Sequence, residues 1–239
     1  MSALFEELDY RPTRLGALSL QRRRSLSTGH DIYEIKLDDE YLMSSQFTAS
    51  EVALARLGLE ALTGEELDVV IGGLGLGYTA QAILESARIR SMLVIDALAE
   101  VIEWHQRGLL PLGPQLTNDP RCRMVVGDFF MGAASPDGFD PERPGRRFHA
   151  ILVDIDHSPS NVLHPSHAAL YSREGLSRLS AHLHPGGVFA LWSNDPPDHD
   201  LTRTIQNLFT DAEAHVVSFD DAQGESQVSN TVYIGKCSL

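Results

Sequence analysis

The sequence predicts an α/β fold in which a small N-terminal β-region precedes a mostly parallel sheet of seven strands. Three observations carry this. From residue 67 onward, short apolar runs alternate with stretches of helical spacing. Those runs are nearly all apolar, as strands covered on both faces require. The last two runs are joined by a polar segment with no helical pattern, so they pair antiparallel at the sheet edge.

Taken in order, the first 47 residues alternate in the manner of strands. Runs at 17–20, 32–37 and 40–44 surround Asp38-Asp39, a pair suited to a tight turn, and predict a hairpin over 31–45 with an earlier strand or two beside it. Arg22-Arg23-Arg24 reads as a solvated strand end or turn rather than a phosphate patch, because nothing basic lies nearby. At Thr48 the period changes. Val52, Ala55, Leu59 and Leu62 recur at helical spacing, Thr48 or Ser50 can cap the start with Glu51 in the first turn, and Gly64 stops the helix.

Strands then fit at 67–71, 92–95, 122–126, 150–155, 188–192, 215–219 and 231–234, and helices at 78–88, 98–107, 168–183 and 200–209. Seven strands ending in a hairpin, here joined through 220–230, is the layout of Rossmann-like, methyltransferase-type folds; the ordinary dinucleotide fold has six. The chain divides accordingly into a β-strand region over 1–47 and a Rossmann-like domain over 48–239.

Composition narrows the function. With 43% apolar and 22% charged residues the chain can bury a sizeable core, which excludes a disordered protein. No apolar run is long enough to span a membrane, and the opening MSALFEELDYRPTR lacks a secretory h-region, so a soluble cytoplasmic protein is expected. Two cysteines, Cys122 and Cys237, suit neither a disulfide framework nor a structural zinc site. A net charge of −14 argues against nucleic acid as a partner and tolerates a cationic small molecule. Composition leaves a homodimer open.

The motifs lie at strand ends. A buried strand runs into Gly72-Gly73-Leu74-Gly75-Leu76-Gly77 and then a helix. Glycine lets the backbone turn sharply and approach a ligand closely. The dinucleotide spacing G-x-G-x-x-G fails, because its third glycine falls on Tyr78; G-x-G-x-G over Gly73, Gly75 and Gly77 fits and suits an S-adenosyl nucleoside. Asp96 ends the second strand of the sheet, where a carboxylate can accept both ribose hydroxyls. After the third strand, Asp128 could accept from an adenine amino group and Phe129 pack on the ring.

The fourth strand ends in Asp154-Ile155-Asp156-His157. Side chains two apart share a face of an extended strand, so Asp154 and Asp156 form a candidate catalytic pair, one a base and the other a hold on a cationic nucleophile. The other reading has Asp156 capping the loop and Asp154 alone facing the ligand. His157 and Tyr171 are candidate substrate contacts, although Tyr171 could simply pack. His157, His164 and His167 with the aspartates could ligate a metal, but Pro165 breaks their alignment and no metal is expected. Asn194-Asp195-Pro196-Pro197 reads as a loop over the pocket.

Together, the N-terminal β-region, the Ile-Gly-Gly loop, the strand-end acid, Gly127-Asp128, the Val-Asp-x-Asp-x-x-Pro turn, the Ala-Leu-Tyr helix and His184-Pro185-Gly186-Gly187-Val188 make a pattern that resembles the spermidine synthase (polyamine aminopropyltransferase) family over roughly 30–195. The resemblance implies transfer of an aminopropyl group from decarboxylated S-adenosylmethionine to a polyamine, with Asp154 as base, Asp96 on the ribose and Asp128 on the adenine. Two departures bear on the donor. The family loop carries an acid where this chain has Gly75, and its second turn reads Asp-x-x-Asp-Pro. S-adenosylmethionine therefore stands as the alternative donor, with a small-molecule methyltransferase or a non-catalytic adenosyl-binding domain as competing functions.

Overall fold

A computed structural model describes residues 4–220 and 226–238. Its first element is a four-stranded antiparallel sheet of β1 (Phe5–Pro12), β2 (Ala17–Arg24), β3 (Asp31–Leu37) and β4 (Glu40–Ser44), in sequential order. The predicted hairpin is β3–β4, and Asp38 at its turn takes positive φ (52°). Arg22, Arg23 and Arg24 are the last residues of β2, a solvated strand end as expected, and they pair across the sheet with Glu6, Glu34 and Asp31.

Helix α1 (Ala49–Glu60) leads into a seven-stranded sheet of β5 (Leu67–Gly72), β6 (Ile89–Asp96), β7 (Cys122–Val126), β8 (Phe148–Val153), β9 (Leu183–Ser193), β10 (Thr210–Asp220) and β11 (Gln227–Lys236). Their order across the sheet is β10-β11-β9-β8-β5-β6-β7. Strands β5 to β9 run parallel, and β11 is antiparallel to both β9 and β10. This is the expected mixed sheet with its edge hairpin, although 221–225 of the connecting segment lies outside the described residues.

The helices on its faces are α2 (Tyr78–Leu84), α3 (Ala99–Gln106), α4 (Gly113–Asn118), α5 (Phe129–Ala134), α6 (Arg173–Ser180) and α7 (His199–Gln206). Two of these, α4 and α5, are six-residue helices too short to show a period in sequence. The expected helix over 168–183 is shorter. Ser172 caps α6 by accepting the Gly175 N–H at 3.1 Å, a 3₁₀ turn (Pro165–Ala169) precedes it, and β9 already begins at Leu183. Thr48 is the N-cap of α1 but makes no side-chain cap bond. Among the described residues no helix is long and apolar enough to cross a membrane.

One apolar core runs under both sheets: Leu18, Leu20 and Ile35 pack with Leu54, Ile71 and Leu152. Polar ties reinforce the join. Trp104, fully buried on α3, donates its indole N–H to Asp9 of β1 at 2.8 Å, and Arg11 reaches Glu103 at 3.2 Å. The antiparallel sheet thereby becomes a roof over the carboxyl edge of the parallel one, where open α/β sheets place ligands.

Candidate active site

The site grows from the strand ends. Across the carboxyl edge, strand order sets out Trp192 (β9), Asp154 (after β8), the glycine loop (after β5), Asp96 (β6) and Asp128 (after β7) in that sequence. Beneath the roof they line a cavity of about 340 Å³ that also receives Leu37, Leu42 and Met43 from β3 and β4. That volume falls in the usual range for small-molecule sites.

The glycine loop is shaped by close approach. Gly73 takes φ 92°, and a Cβ there would strike the Asp154 carbonyl. Gly75 is closed from the other side, since a Cβ would meet Met43 Sδ at 2.6 Å. The loop position at which the resembling family carries an acid is thus packed against the roof. Gly77, also at φ 92°, is the N-cap of α2.

Asp96 is held under the loop. One oxygen accepts the Leu98 N–H at 2.8 Å and the other the Leu74 N–H at 2.9 Å. Burial raises its pKa, and these bonds from Leu98, Leu74 and Gly75 oppose the rise. Each oxygen keeps a lone pair for a further donor such as a ribose hydroxyl. Asp128 caps α5 by accepting the Met131 N–H at 3.0 Å and stays exposed toward the cavity. Phe129 touches the cavity but is 2% exposed and stacks on Phe139 at 4.7 Å. Its half-buried neighbour Phe130, stacked on His167 at 3.7 Å, presents more ring to the cavity.

The two aspartates of the fourth strand take different surroundings. Asp154 accepts the Thr79 hydroxyl at 2.6 Å and faces the cavity below α1. Asp156, 3% exposed, accepts the Leu163 N–H at 2.8 Å, the Tyr171 hydroxyl at 2.7 Å and His167 Nδ1 at 2.8 Å. With three donors on one carboxylate, Asp156 anchors the segment 157–171, and Tyr171 serves that anchor from outside the cavity lining. His157 lines the cavity with Nε2 3.1 Å from Glu40. The 194–197 loop does not line it: Asn194 bonds Asn230 and Asp195 takes the Ser160 hydroxyl.

Sequence reading missed Glu51. It sits in the first turn of α1, 7% exposed, and lines the cavity beside Asp154. Burial pushes its pKa up, and the Asp154 charge pushes it further; burial also raises Asp154, against the Thr79 hydrogen bond. Only the N-terminal register of α1 hinted at it, because an acid there ordinarily serves the helix dipole. Among the described residues, Glu51, Asp96, Asp128, Asp154 and Asp156 line the cavity with three histidines and no lysine or arginine. No group of three His, Cys, Asp or Glu among the described residues converges as a metal site.

The strand order and the edge hairpin define the class: an α/β protein of methyltransferase-like fold. No protein-family model matches the chain. Polyamine aminopropyltransferase 2 of Pseudomonas aeruginosa is 28% identical over 161 residues, covering 63% of this chain and 42% of that protein. The matched part thus spans less than half the length of that curated relative. Spermidine synthase from Thermotoga maritima superposes with a TM-score of 0.72 at 17% identity, and a spermidine synthase in complex with the transition-state analogue AdoDATO with 0.71 at 16%. Each superposition covers 96% of this chain and 72% of the other. Human methyltransferase-like protein 13 in complex with SAH gives 0.53 at 18% identity, over 79% of each chain. The chain is thus similar, at low identity, to proteins named as spermidine synthases and polyamine aminopropyltransferases.

Proposed function

We propose that the protein is an aminopropyltransferase-like enzyme that binds an S-adenosyl donor over the glycine loop and alkylates a small amine. The observation that carries this is the cavity lining, five carboxylates with no lysine or arginine among the described residues. A sulfonium donor and a cationic amine both lower their energy in such a field, whereas a ligand carboxylate raises it.

In this reading Asp96 takes the ribose hydroxyls, Asp128 the adenine amino group, and Phe130 with Phe129 the ring. Asp154 is the base. The amine nitrogen forms a bond to the propyl carbon next to sulfur as the carbon–sulfur bond breaks; its proton passes to Asp154 and the pair of electrons leaves with the neutral thioether. Asp154 fits this task because it stands at the strand end beside the glycine loop, oriented by Thr79, with a pKa raised toward the working range of a general base. Positioning the amine in line supplies much of the rate. Asp156 supports the wall through Tyr171 and His167.

A methyltransferase reading draws support from Gly75, where Met43 closes the loop position at which the related family carries an acid. The experiment is transfer from decarboxylated S-adenosylmethionine to a panel of di- and polyamines, run beside methyl transfer from S-adenosylmethionine to the same amines. Aminopropyl transfer is the expected result. Methyl transfer alone would put the second reading in its place, and bound donors with neither transfer would leave an adenosyl-binding domain.

A further inference from the structure

His105 lies on α3, the helix that follows the Asp96 strand β6. It is 0% exposed and does not line the cavity. Its Nε2 is 2.9 Å from the carbonyl oxygen of Gly75 in the glycine loop. A carbonyl only accepts, so Nε2 carries the proton and Nδ1 the lone pair. Nδ1 is buried with no partner among the described residues. Burial lowers the pKa of the ring, against the Gly75 hydrogen bond, so the ring stays neutral near neutral pH.

An apolar side chain would fill this place without an orphaned lone pair. What the imidazole adds is a donor, and the donor is aimed at the loop. The Gly75 carbonyl shares a peptide group with the Leu76 N–H, which donates to Met43 Sδ at 2.9 Å. The C=O and N–H of a trans peptide point opposite ways, so this one is strung between α3 and the roof strand β4. Gly75 (φ 47°) has no Cβ to dictate which way that peptide faces, and hydrogen bonds have to choose. The same residue gives its N–H to Asp96. A second loop glycine makes room for the ring: a Cβ on Gly77 would stand 3.0 Å from His105 Cε1.

We propose that His105 is a positioning residue for the ligand site. By holding the Gly75 carbonyl it fixes the face that the glycine loop turns to an adenosyl ligand and, through the Gly75 N–H, the setting of Asp96. This rests on the adenosyl-donor reading above. His105 itself touches no ligand; it acts through a single peptide group.

The test compares the full chain with His105→Leu and His105→Gln by calorimetric titration with 5′-methylthioadenosine, a neutral adenosyl thioether. The Gln amide nitrogen sits as far along its side chain as Nε2 does and keeps a donor, whereas Leu fills the space without one. His105→Leu should bind about fivefold to tenfold more weakly, the scale of a hydrogen bond, and His105→Gln within about twofold of the parent. A residue that only packs predicts the reverse order, since Leu suits an apolar core better than Gln. Imidazole nitrogen NMR of the unsubstituted chain reads the same contact without a variant. Nε2 should be the protonated nitrogen, and its resonance should shift as 5′-methylthioadenosine saturates a site that the ring does not touch. Leu binding as tightly as the parent, a folded Gln variant as weak as Leu, or a His105 signal indifferent to the ligand would each overturn the role of His105 and leave the adenosyl reading standing. Failure of the parent to bind would remove the adenosyl reading and this inference with it.

Discussion

Two clusters of buried acids occupy opposite edges of the parallel sheet. At the amino edge, Asp68 on β5 and Asp140 ahead of β8 are bridged by Arg146, which reaches Asp68 at 3.1 Å and Asp140 at 2.9 Å, with Arg90 and Arg123 adding a further pair each. Burial alone would raise both acids, but the arginines hold their pKa values below the usual range. At the carboxyl edge, Glu51 is buried and Asp154 half-buried, with hydroxyl partners and no arginine, and both are raised. Burial is shared; compensation is not. A carboxylate with a resident guanidinium is finished as structure, whereas one without is left able to bind a proton or a cation.

The contrast can be broken most severely at Arg146. Arg146→Met leaves Asp68 and Asp140 each with one arginine, and should lower unfolding free energy by about 3 kcal/mol, near the low end for stripping a partner from a buried pair. Urea denaturation would read it, and a loss under 1 kcal/mol would mean the amino-edge network is not what holds that edge together.

At the other edge, Asp154→Asn keeps the shape and removes the proposed base. Turnover should fall at least ~10²-fold while affinity for a neutral adenosyl thioether barely changes. Wild-type turnover in the variant would show that the proton leaves by another route. Asp96→Ala should weaken adenosyl binding by about 1.5–3 kcal/mol, the scale of charged hydrogen bonds. Calorimetry giving unchanged affinity would move the ribose away from β6.

The smallest effect concerns pH. An acid raised by folding binds more protons in the native than in the unfolded chain between its ordinary pKa, about 4, and its raised one. Stability therefore falls as pH climbs through that window, and the cost is complete above it. Glu51→Gln removes one such acid and relieves the other. It should stabilise the unliganded protein by about 1 kcal/mol more at pH 8 than at pH 5. Asp68→Asn should show no slope over that range and the opposite one below about pH 4, since a depressed acid contributes stability that is lost only as pH falls through its lowered pKa. A pH-independent Glu51→Gln effect would show that the carboxyl-edge pair carries no folding-linked proton.

Much of the fold was legible because strands buried on both faces write themselves as continuous apolar runs. The 67–71 and 150–153 segments needed no partner to be recognised. The edge hairpin followed from a connection with no helical period. Boundaries were poorer where local hydrogen bonds override periodicity, as at Ser172, whose cap splits the 168–183 segment. The strand-end acids were visible as residues. Their division of labour was not, because Asp154 and Asp156 differ only in which donors reach them, and those donors come from Thr79, Tyr171 and His167 on three separate elements.

The sequence by itself determined the strand–helix alternation, the glycine loop and the presence of acids at three successive strand ends, since backbone period and glycine conformational freedom are local properties. Only the tertiary structure decided that Met43 closes Gly75, that Asp156 is an anchor, and that Glu51 joins Asp154 under the roof. Contacts between residues 103 positions apart depend on how α1 and β8 converge at the sheet edge, and burial turns that convergence into electrostatics. No local pattern along the chain encodes the distance between two charges, or whether a counter-charge lies between them.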